Sequence, residues 1–229
     1  MSLLADMTRS QAELRATRRP VSWAEEAMRN GVEAFYRERF PGARIVHELV
    51  MDRGKVRADV CAIGTGHLVA AEIKSGYDAI DRLITQAALF RLACPELWLF
   101  VDDRHARDAE IIHYLMPTIG FATCGEIELR KASKEGRAPV WSIRREARLF
   151  RPDPEALLSL LWVGELTEEA VAARIVTPAK RPLSHGSLVK RISEVMSNAE
   201  MLVLVCRQLR MRTAQWRADP PDVPEEMAR

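Results

Sequence analysis

The chain has 229 residues, enough for one domain of ordinary size with a small appendage and a substantial hydrophobic core. Its hydrophobic content of 48%, charged content of 29% and formal net charge of +2 are typical of a globular protein and exclude a disordered or strongly basic chain. Any binding to nucleic acid must therefore come from local patches of charge. The four cysteines lack CxxC spacing, which argues against a zinc ribbon or a disulfide framework and favours a reducing, cytoplasmic setting.

Residues 1–20 form a polar lead-in that mixes acidic and basic side chains. Neither a signal peptide nor a membrane span is expected, since no run approaches the roughly 18 apolar residues that a span requires. The capping-box pair Ser22 and Glu25 predicts a helix that runs to Phe40 and ends at Pro41-Gly42. Three strands are predicted next, at about 43–51, 56–63 and 67–74.

Further elements complete a predicted core over residues 21–150. The continuous apolar run at 97–101 is typical of a central strand that is covered on both faces. Helices are predicted at about 78–94 and 105–116, and two more strands near 126–132 and 139–145. This order of elements indicates an α/β fold with a mixed sheet flanked by helices.

A second unit, 151–218, is predicted to be helical, and residues 219–229 are predicted to be a disordered, Pro-rich acidic tail. Between residues 176 and 217 the sequence contains eight Lys or Arg residues and only two acids. A helical unit with this excess could track phosphates in a sequence-independent manner. It could equally be an amphipathic bundle packed on the core, with its arginines merely solvated. The candidates for nucleic-acid contact are Lys190, Arg191, Arg207 and Arg210.

Two opposite charges, Glu72 and Lys74, interrupt the apolar run at 68–75, which otherwise has the pattern of a buried strand. Desolvating an unpaired ion costs several kcal/mol or more, so a partner should compensate both charges. A divalent cation beside Asp59 would do so. The simpler alternative is a salt bridge on a surface strand.

The expected register brings three acids together. Compact Gly-containing turns flank the strand of Asp59, at 52–55 and 64–67. With these turns, Asp59 lies opposite Glu48 on one side and Glu72 on the other. Like charges in such a row repel each other, so a structural role does not explain it. A slip of one residue in either turn would break the row.

The carboxylates suit a hard cation. Asp59 and Glu72 are oxygen ligands of the kind that Mg²⁺ or Mn²⁺ prefers, usually with several waters retained. The backbone carbonyl of Ile73 and the carboxylate of Glu48 are further candidate ligands. Glu48 is equally well explained as a solvated strand residue.

Three more side chains could act on a phosphodiester beside such a cation. Lys74 projects to the same face as Glu72 and could orient or help deprotonate the attacking water. Arg57, expected opposite Lys74, would contact the substrate backbone. Gln86 on the following helix could hold a water or a phosphate oxygen, or could be an ordinary exposed residue.

The motif resembles that of the PD-(D/E)xK nuclease superfamily: Asp59, then Glu72-Ile73-Lys74 at the end of an apolar strand. Ala58 replaces the proline of the family name. Gln86 followed by Phe90 looks like the Q-x-x-x-Y element of the exonuclease-like branch, with phenylalanine in place of tyrosine. A narrower resemblance over about 40–212, to the bacterial sce7726 family of nucleases, is carried by Arg57-Ala58-Asp59, Glu72-Ile73-Lys74-Ser75, Asp81-Arg82-Leu83, Gln86, Asp103-Arg104-His105 and Leu160-Leu161-Trp162.

The resemblance implies a restriction-endonuclease-like αβββαβ core and a metal-dependent nuclease that hydrolyses phosphodiester bonds in DNA, with RNA a less favoured substrate. A bacterial or phage origin is expected. The expected partners are DNA and, if the protein dimerises, a second copy of the chain; no membrane partner is expected. Two alternatives keep the same fold: a catalytically silent nucleic-acid-binding or assembly subunit, and a defence or toxin effector that depends on a partner.

Overall fold

A computed structural model of the chain describes residues 22–51, 54–177, 183–213 and 217–223. The predicted lead-in at 1–20 and the end of the predicted tail at 224–229 lie outside the described residues, as does half of the first hairpin turn. The helices are α1 (Trp23–Arg39), α2 (Leu83–Ala93), α3 (Ala106–Leu115), α4 (Glu126–Glu135), α5 (Pro154–Leu158), α6 (Val163–Ala172), α7 (His185–Val195) and α8 (Asn198–Met211). The strands are β1 (Arg44–Met51), β2 (Val56–Ile63), β3 (Leu68–Lys74), β4 (Glu96–Asp102), β5 (Gly120–Cys124) and β6 (Ser142–Arg145).

The six strands form one mixed sheet in chain order. Strands β1, β2 and β3 are antiparallel, β3, β4 and β5 are parallel, and β6 returns antiparallel to β5. The predicted α/β fold is confirmed, including the order of helix, three-stranded meander, helix and further strand. The predicted register is also confirmed where the strands are paired: Leu49 lies opposite Ala58, and Val60 opposite Ala71.

Helices cover both faces of the sheet, because the central strands β3 and β4 are apolar on both sides. On what we call the α1 face, α1 and α4 cover an aromatic cluster that includes Tyr36, Trp98 and Phe100. On the opposite face, the α2 face, α2, α3 and the C-terminal helices cover a larger aliphatic cluster. Strand β4 contributes alternately to the two clusters, as the two-residue period of a strand requires.

The strand predicted at 126–132 is wrong, because this segment is helix α4. Its buried residues, Leu129 and Ala132, are three apart, which is a helical spacing. Ile127 and Leu129 would share one face of a strand, but Ile127 is exposed and Leu129 is buried. The helix ends at Gly136, whose φ of 64° is the left-handed conformation that glycine adopts readily at a helix C-terminus. Strand β6 is correspondingly shorter than predicted.

The unit after residue 150 is helical, and its helices α5 to α8 pack on the α2 face. Leu157, Leu188 and Leu204 belong to the same hydrophobic cluster as Leu99 of the central strand β4. Part of the predicted tail is also packed. Asp219 accepts hydrogen bonds from the backbone N–H of Ile45 at 2.9 Å and from the guanidinium of Arg37. Within the described ranges, no helix is both long and apolar enough to cross a membrane.

Candidate active site

Glu72 and Lys74 lie near the carboxyl end of β3, a central strand that is hydrogen-bonded to β2 and β4. The Nζ atom of Lys74 donates a hydrogen bond to Oε1 of Glu72 at 2.7 Å, and the two side chains are 15% and 3% exposed. Oε2 of Glu72 is buried and has no hydrogen-bond partner. Glu72 and Lys74 are therefore hydrogen-bonded to each other inside the sheet with one carboxylate oxygen left over, rather than forming a salt bridge on a surface strand.

Asp59 stands where β2 and β3 separate. The β2–β3 ladder runs as far as Val60 and Ala71, and beyond it Oδ2 of Asp59 accepts the backbone N–H of Ile73 at 2.8 Å. This bond binds the Asp59 side chain to the strand that carries Glu72. The charge of Asp59 raises the pKa of Glu72, so the two carboxylates lie within electrostatic reach of each other.

Glu48 departs from the predicted row of three carboxylates. The β1–β2 ladder skips the pair of Glu48 and Asp59, and Glu48 has a φ of 58°, a left-handed conformation that costs a glutamate energy. The residues of β1 that pack on the α2 face, Val46 and Leu49, are consequently three apart rather than two. The carboxylate of Glu48 pairs with Arg57 and, at 2.6 Å, with Arg29. We correct the prediction accordingly: Arg57 partners Glu48 rather than standing opposite Lys74.

Arg29 of helix α1 lies at the centre of the site, although it was not among the residues predicted from the sequence. Its guanidinium is 2% exposed and pairs with Glu25 at 2.9 Å, Glu48 at 2.6 Å and Asp59 at 2.9 Å. It also donates to the backbone carbonyl of Asp59 at 2.9 Å. The available signal was a Glu25–Arg29 pair at i,i+4 directly beside the apolar residue Met28, which puts a long cation at the border of the buried face.

Burial raises the pKa of both candidate ligands. Desolvation raises the pKa of Asp59 to about 6, although the Arg29 guanidinium and the Ile73 N–H oppose it. Desolvation together with the charge of Asp59 raises the pKa of Glu72 to about 8, against the opposing effect of Lys74. Burial alone would lower the pKa of Lys74. The neighbouring carboxylates of Glu72 and Asp59 outweigh this effect, so the pKa of Lys74 is raised. Two acids that resist ionisation side by side form a site that favours an added positive charge.

The donor set suits a magnesium-type ion with few protein ligands. Among the residues that the structure describes, no three His, Cys, Asp or Glu side chains are gathered closely enough to hold a metal by themselves. Mg²⁺, however, is commonly bound through one or two carboxylates, with waters and substrate phosphate oxygens completing its shell. Asp59 and the unpartnered Oε2 of Glu72 meet that requirement. Glu48, already paired with two arginines, is the weaker of the predicted ligands.

Gln86 lies on helix α2, one turn after its first residue, and is half-buried. Its side-chain oxygen Oε1 is buried and has no hydrogen-bond partner. The side chain therefore retains an acceptor that a water could satisfy. Phe90, one turn further along α2, is fully buried in the core, so the aromatic residue of the Gln86–Phe90 element is a packing residue.

Within the described ranges, acids distant in sequence pair with several arginines of the predicted basic patch. Arg207 pairs with the buried Glu169, and Arg210 pairs with Asp222 at 2.7 Å. The remaining candidates, Lys190 and Arg191 of α7, are exposed. Counting charges along the chain overlooked these tertiary pairs. Other arginines of the count follow the same pattern: Arg212 pairs with Glu165, and Arg217 with Glu26 and Glu33.

Glu72→Gln is expected to flatten the dependence of stability on pH. Between the ordinary pKa of a glutamate and about 8, the folded protein holds a proton on Glu72 that the unfolded chain releases. The free energy of unfolding of the metal-free wild type should therefore fall as pH rises from about 5 to about 8. Glutamine mimics the protonated acid, so the variant should match the wild type near pH 5 and exceed it by roughly 3–4 kcal/mol near pH 8. Urea denaturation in EDTA at both pH values measures this difference; parallel pH curves would contradict the account.

Comparison with known proteins places the chain in a family. No curated protein sequence matches it. One similar solved structure is the SPO1766 protein of unknown function from Silicibacter pomeroyi, with 20% sequence identity, a TM-score of 0.42, and coverage of 69% of this chain and 93% of that one. The model of the family described as Bacteriophage P4 protein cII matches residues 24–215. That match spans most of the chain, from the start of α1 to beyond α8, and the chain belongs to the Bacteriophage P4 protein cII family.

Proposed function

We propose that the chain is a cytoplasmic, metal-dependent nuclease of the PD-(D/E)xK type that hydrolyses phosphodiester bonds in DNA. The observation that carries the proposal is the unpartnered Oε2 of the buried Glu72, held beside Asp59 and Lys74 in the middle of the sheet. A buried carboxylate oxygen without a partner is costly in a purely structural ion pair. It is a useful feature in a site that takes up a cation.

Asp59 and Glu72 would hold Mg²⁺ or Mn²⁺, with the carbonyl of Ile73 and the carboxylate of Glu48 as the further candidates. When bound, the cation would neutralise charge on the phosphate and make a coordinated water more acidic. The N–H of Ile73 fixes the orientation of the Asp59 carboxylate through its hydrogen bond to Oδ2. The binding groups are thus positioned by β2 and β3 before any substrate arrives.

Lys74 would position the attacking water and the scissile phosphate. Its ammonium already lies at the site, fixed at 2.7 Å from Glu72, and its raised pKa keeps it charged at neutral pH. A charged lysine acts best by orienting water and stabilising the negative phosphate, rather than by removing a proton itself. Gln86, with its unsatisfied side-chain oxygen, is the candidate for holding a further water.

A cleavage assay tests the proposal. Supercoiled plasmid and end-labelled single- and double-stranded oligonucleotides are incubated with the EDTA-treated protein, with and without added Mg²⁺ or Mn²⁺. Cleavage that depends on added metal supports the nuclease. The second candidate, a catalytically silent nucleic-acid-binding or assembly subunit, is favoured by the pairing of Arg29 with Asp59 and would give binding without cleavage. The phage protein in the family description is compatible with a phage origin.

Nucleic-acid contacts are expected from Lys190 and Arg191 rather than from Arg207 and Arg210. Lys190 is 76% exposed and pairs with the exposed Glu194 at 3.9 Å, whereas Arg207 pairs with the buried Glu169 and Arg210 with Asp222 at 2.7 Å. Replacing Lys190 and Arg191 together by alanine should lower the slope of log affinity against log salt by up to about two units. Replacing Arg207 and Arg210 should instead reduce thermal stability. Fluorescence anisotropy with labelled DNA between 50 and 200 mM salt, roughly the range in which such effects are large, separates the two pairs. A lower salt slope for the Arg207 and Arg210 variant, with an unchanged slope for the Lys190 and Arg191 variant, would contradict this expectation.

A further inference from the structure

Arg29 occupies the position of a counter-ion among the carboxylates of the candidate site. Its Nη2 atom lies 2.9 Å from Oε1 of Glu25, 2.6 Å from Oε1 of Glu48 and 2.9 Å from Oδ1 of Asp59. Two further cations pair with acids of the site, Arg57 with Glu48 and Lys74 with Glu72. With Glu72 included, four carboxylates therefore face three cations.

One nitrogen of the Arg29 guanidinium has more hydrogen-bond acceptors around it than hydrogens to donate. Nη2 carries two hydrogens but has three carboxylate oxygens within hydrogen-bond distance. The other nitrogens have separate acceptors: Nε donates to Glu25, and Nη1 donates to the carbonyl of Asp59 and lies 3.4 Å from Nδ1 of His47. If Oδ1 of Asp59 left Nη2, Glu25 and Glu48 would still satisfy both hydrogens.

We propose that Arg29 is a positioning residue that holds the Asp59 carboxylate in the metal-free protein and surrenders Oδ1 of Asp59 when a divalent cation binds, while it keeps Glu25 and Glu48. This inference rests on the proposed function, since it requires that Asp59 and Glu72 bind the cation. Arg29 stays beside Asp59 through the backbone carbonyl bond, so its charge continues to oppose the cation. Arg29 therefore weakens metal binding, but it keeps the site folded when no metal is bound.

Titration calorimetry with Mn²⁺ on the EDTA-treated full chain tests the inference. The proteins are wild type, Arg29→Met, Arg29→Gln and the control Arg37→Met, which removes an exposed arginine from the same helix. Both Arg29 variants should bind Mn²⁺ about tenfold more tightly than wild type, a change of about 1.4 kcal/mol. The control should bind as wild type does. A purely structural Arg29 would leave the Mn²⁺ affinity unchanged or weaken it when replaced.

The outcomes separate this inference from the proposed function. Binding to wild type without tighter binding to the Arg29 variants overturns the inference alone. Absence of Mn²⁺ binding to the folded wild type and to the folded variants overturns the proposed function, and the inference with it.

A measurement on wild type decides the matter if the variants do not fold. The Nε–H signal of Arg29, assigned by through-bond correlation in ¹⁵N-arginine-labelled protein, should shift on addition of Mg²⁺ as Nη2 loses Asp59 and strengthens its bonds to Glu25 and Glu48. Signals of exposed arginines such as Arg37 should not move. An Arg29 signal that stays in place at saturating Mg²⁺ would refute the release of Asp59 by Arg29.

Discussion

Glu72→Ala is expected to abolish DNA cleavage, lowering the single-turnover rate by about 10³-fold or more, because several kcal/mol of charge stabilisation would be lost with the cation. Lys74→Ala is expected to lower the rate by about 10²–10⁴-fold, because water and phosphate would lose their positioning group. In both cases the loss should fall on the rate of cleavage more than on DNA affinity. End-labelled oligonucleotides in excess Mg²⁺ provide the measurement.

The controls are Glu168→Ala and Lys134→Ala, which remove exposed residues of the same types from α6 and α4. Both should cleave as wild type does. Circular dichroism must show that all four variants are folded, since Glu72 and Lys74 are each other's buried partners. Wild-type rates in folded Glu72→Ala and Lys74→Ala proteins would refute the assignment of the site.

Arg29→Met is expected to destabilise the metal-free protein by about 3–5 kcal/mol, the usual cost of removing one partner from a buried ion pair. The variant would leave Asp59 buried without its guanidinium partner and Glu48 with Arg57 alone. The carboxylates would then protonate more readily, so the deficit should shrink as pH falls toward about 5. Saturating Mn²⁺ should also reduce it, because the variant is expected to bind Mn²⁺ more tightly than wild type and therefore gains more stability from the bound ion.

Arg37→Met is the matched control for this measurement. Arg37 is 51% exposed and pairs with Asp219 at 2.8 Å, and exposed pairs contribute little. Its loss should cost at most about 1 kcal/mol. Equal effects of the two substitutions in urea denaturation would show that the cluster around Arg29 is not a strongly coupled ionic centre.

The sequence predicted the local parts of this architecture well. The capping residue Ser22 accepts the N–H of Glu25 as expected, and the paired residues of β1, β2 and β3 have the expected partners, since short Gly-containing turns fix hairpin register. Opposite charges inside an apolar strand correctly marked Glu72 as buried. Each of these features depends on residues close together in sequence.

The failures involve residues that are distant in sequence. Arg29 reaches Asp59 only because α1 packs on the sheet, and no local pattern specifies which side chain fills that space. The left-handed backbone of Glu48 lies within strand β1, where no turn sequence indicates it. Likewise, Arg207 meets Glu169 only after α6 and α8 have packed together, and a charge count along the chain does not include such pairs.

The most direct test of the central claim is an anomalous-difference map from crystals of the wild-type protein soaked in Mn²⁺. The account predicts a peak bound by Asp59 and by Oε2 of Glu72, at about 2.0–2.3 Å from each ligand oxygen. It also predicts that Oδ1 of Asp59 no longer contacts Arg29. The absence of a peak at these carboxylates under saturating Mn²⁺, with Arg29 still paired to Asp59, would contradict the claim.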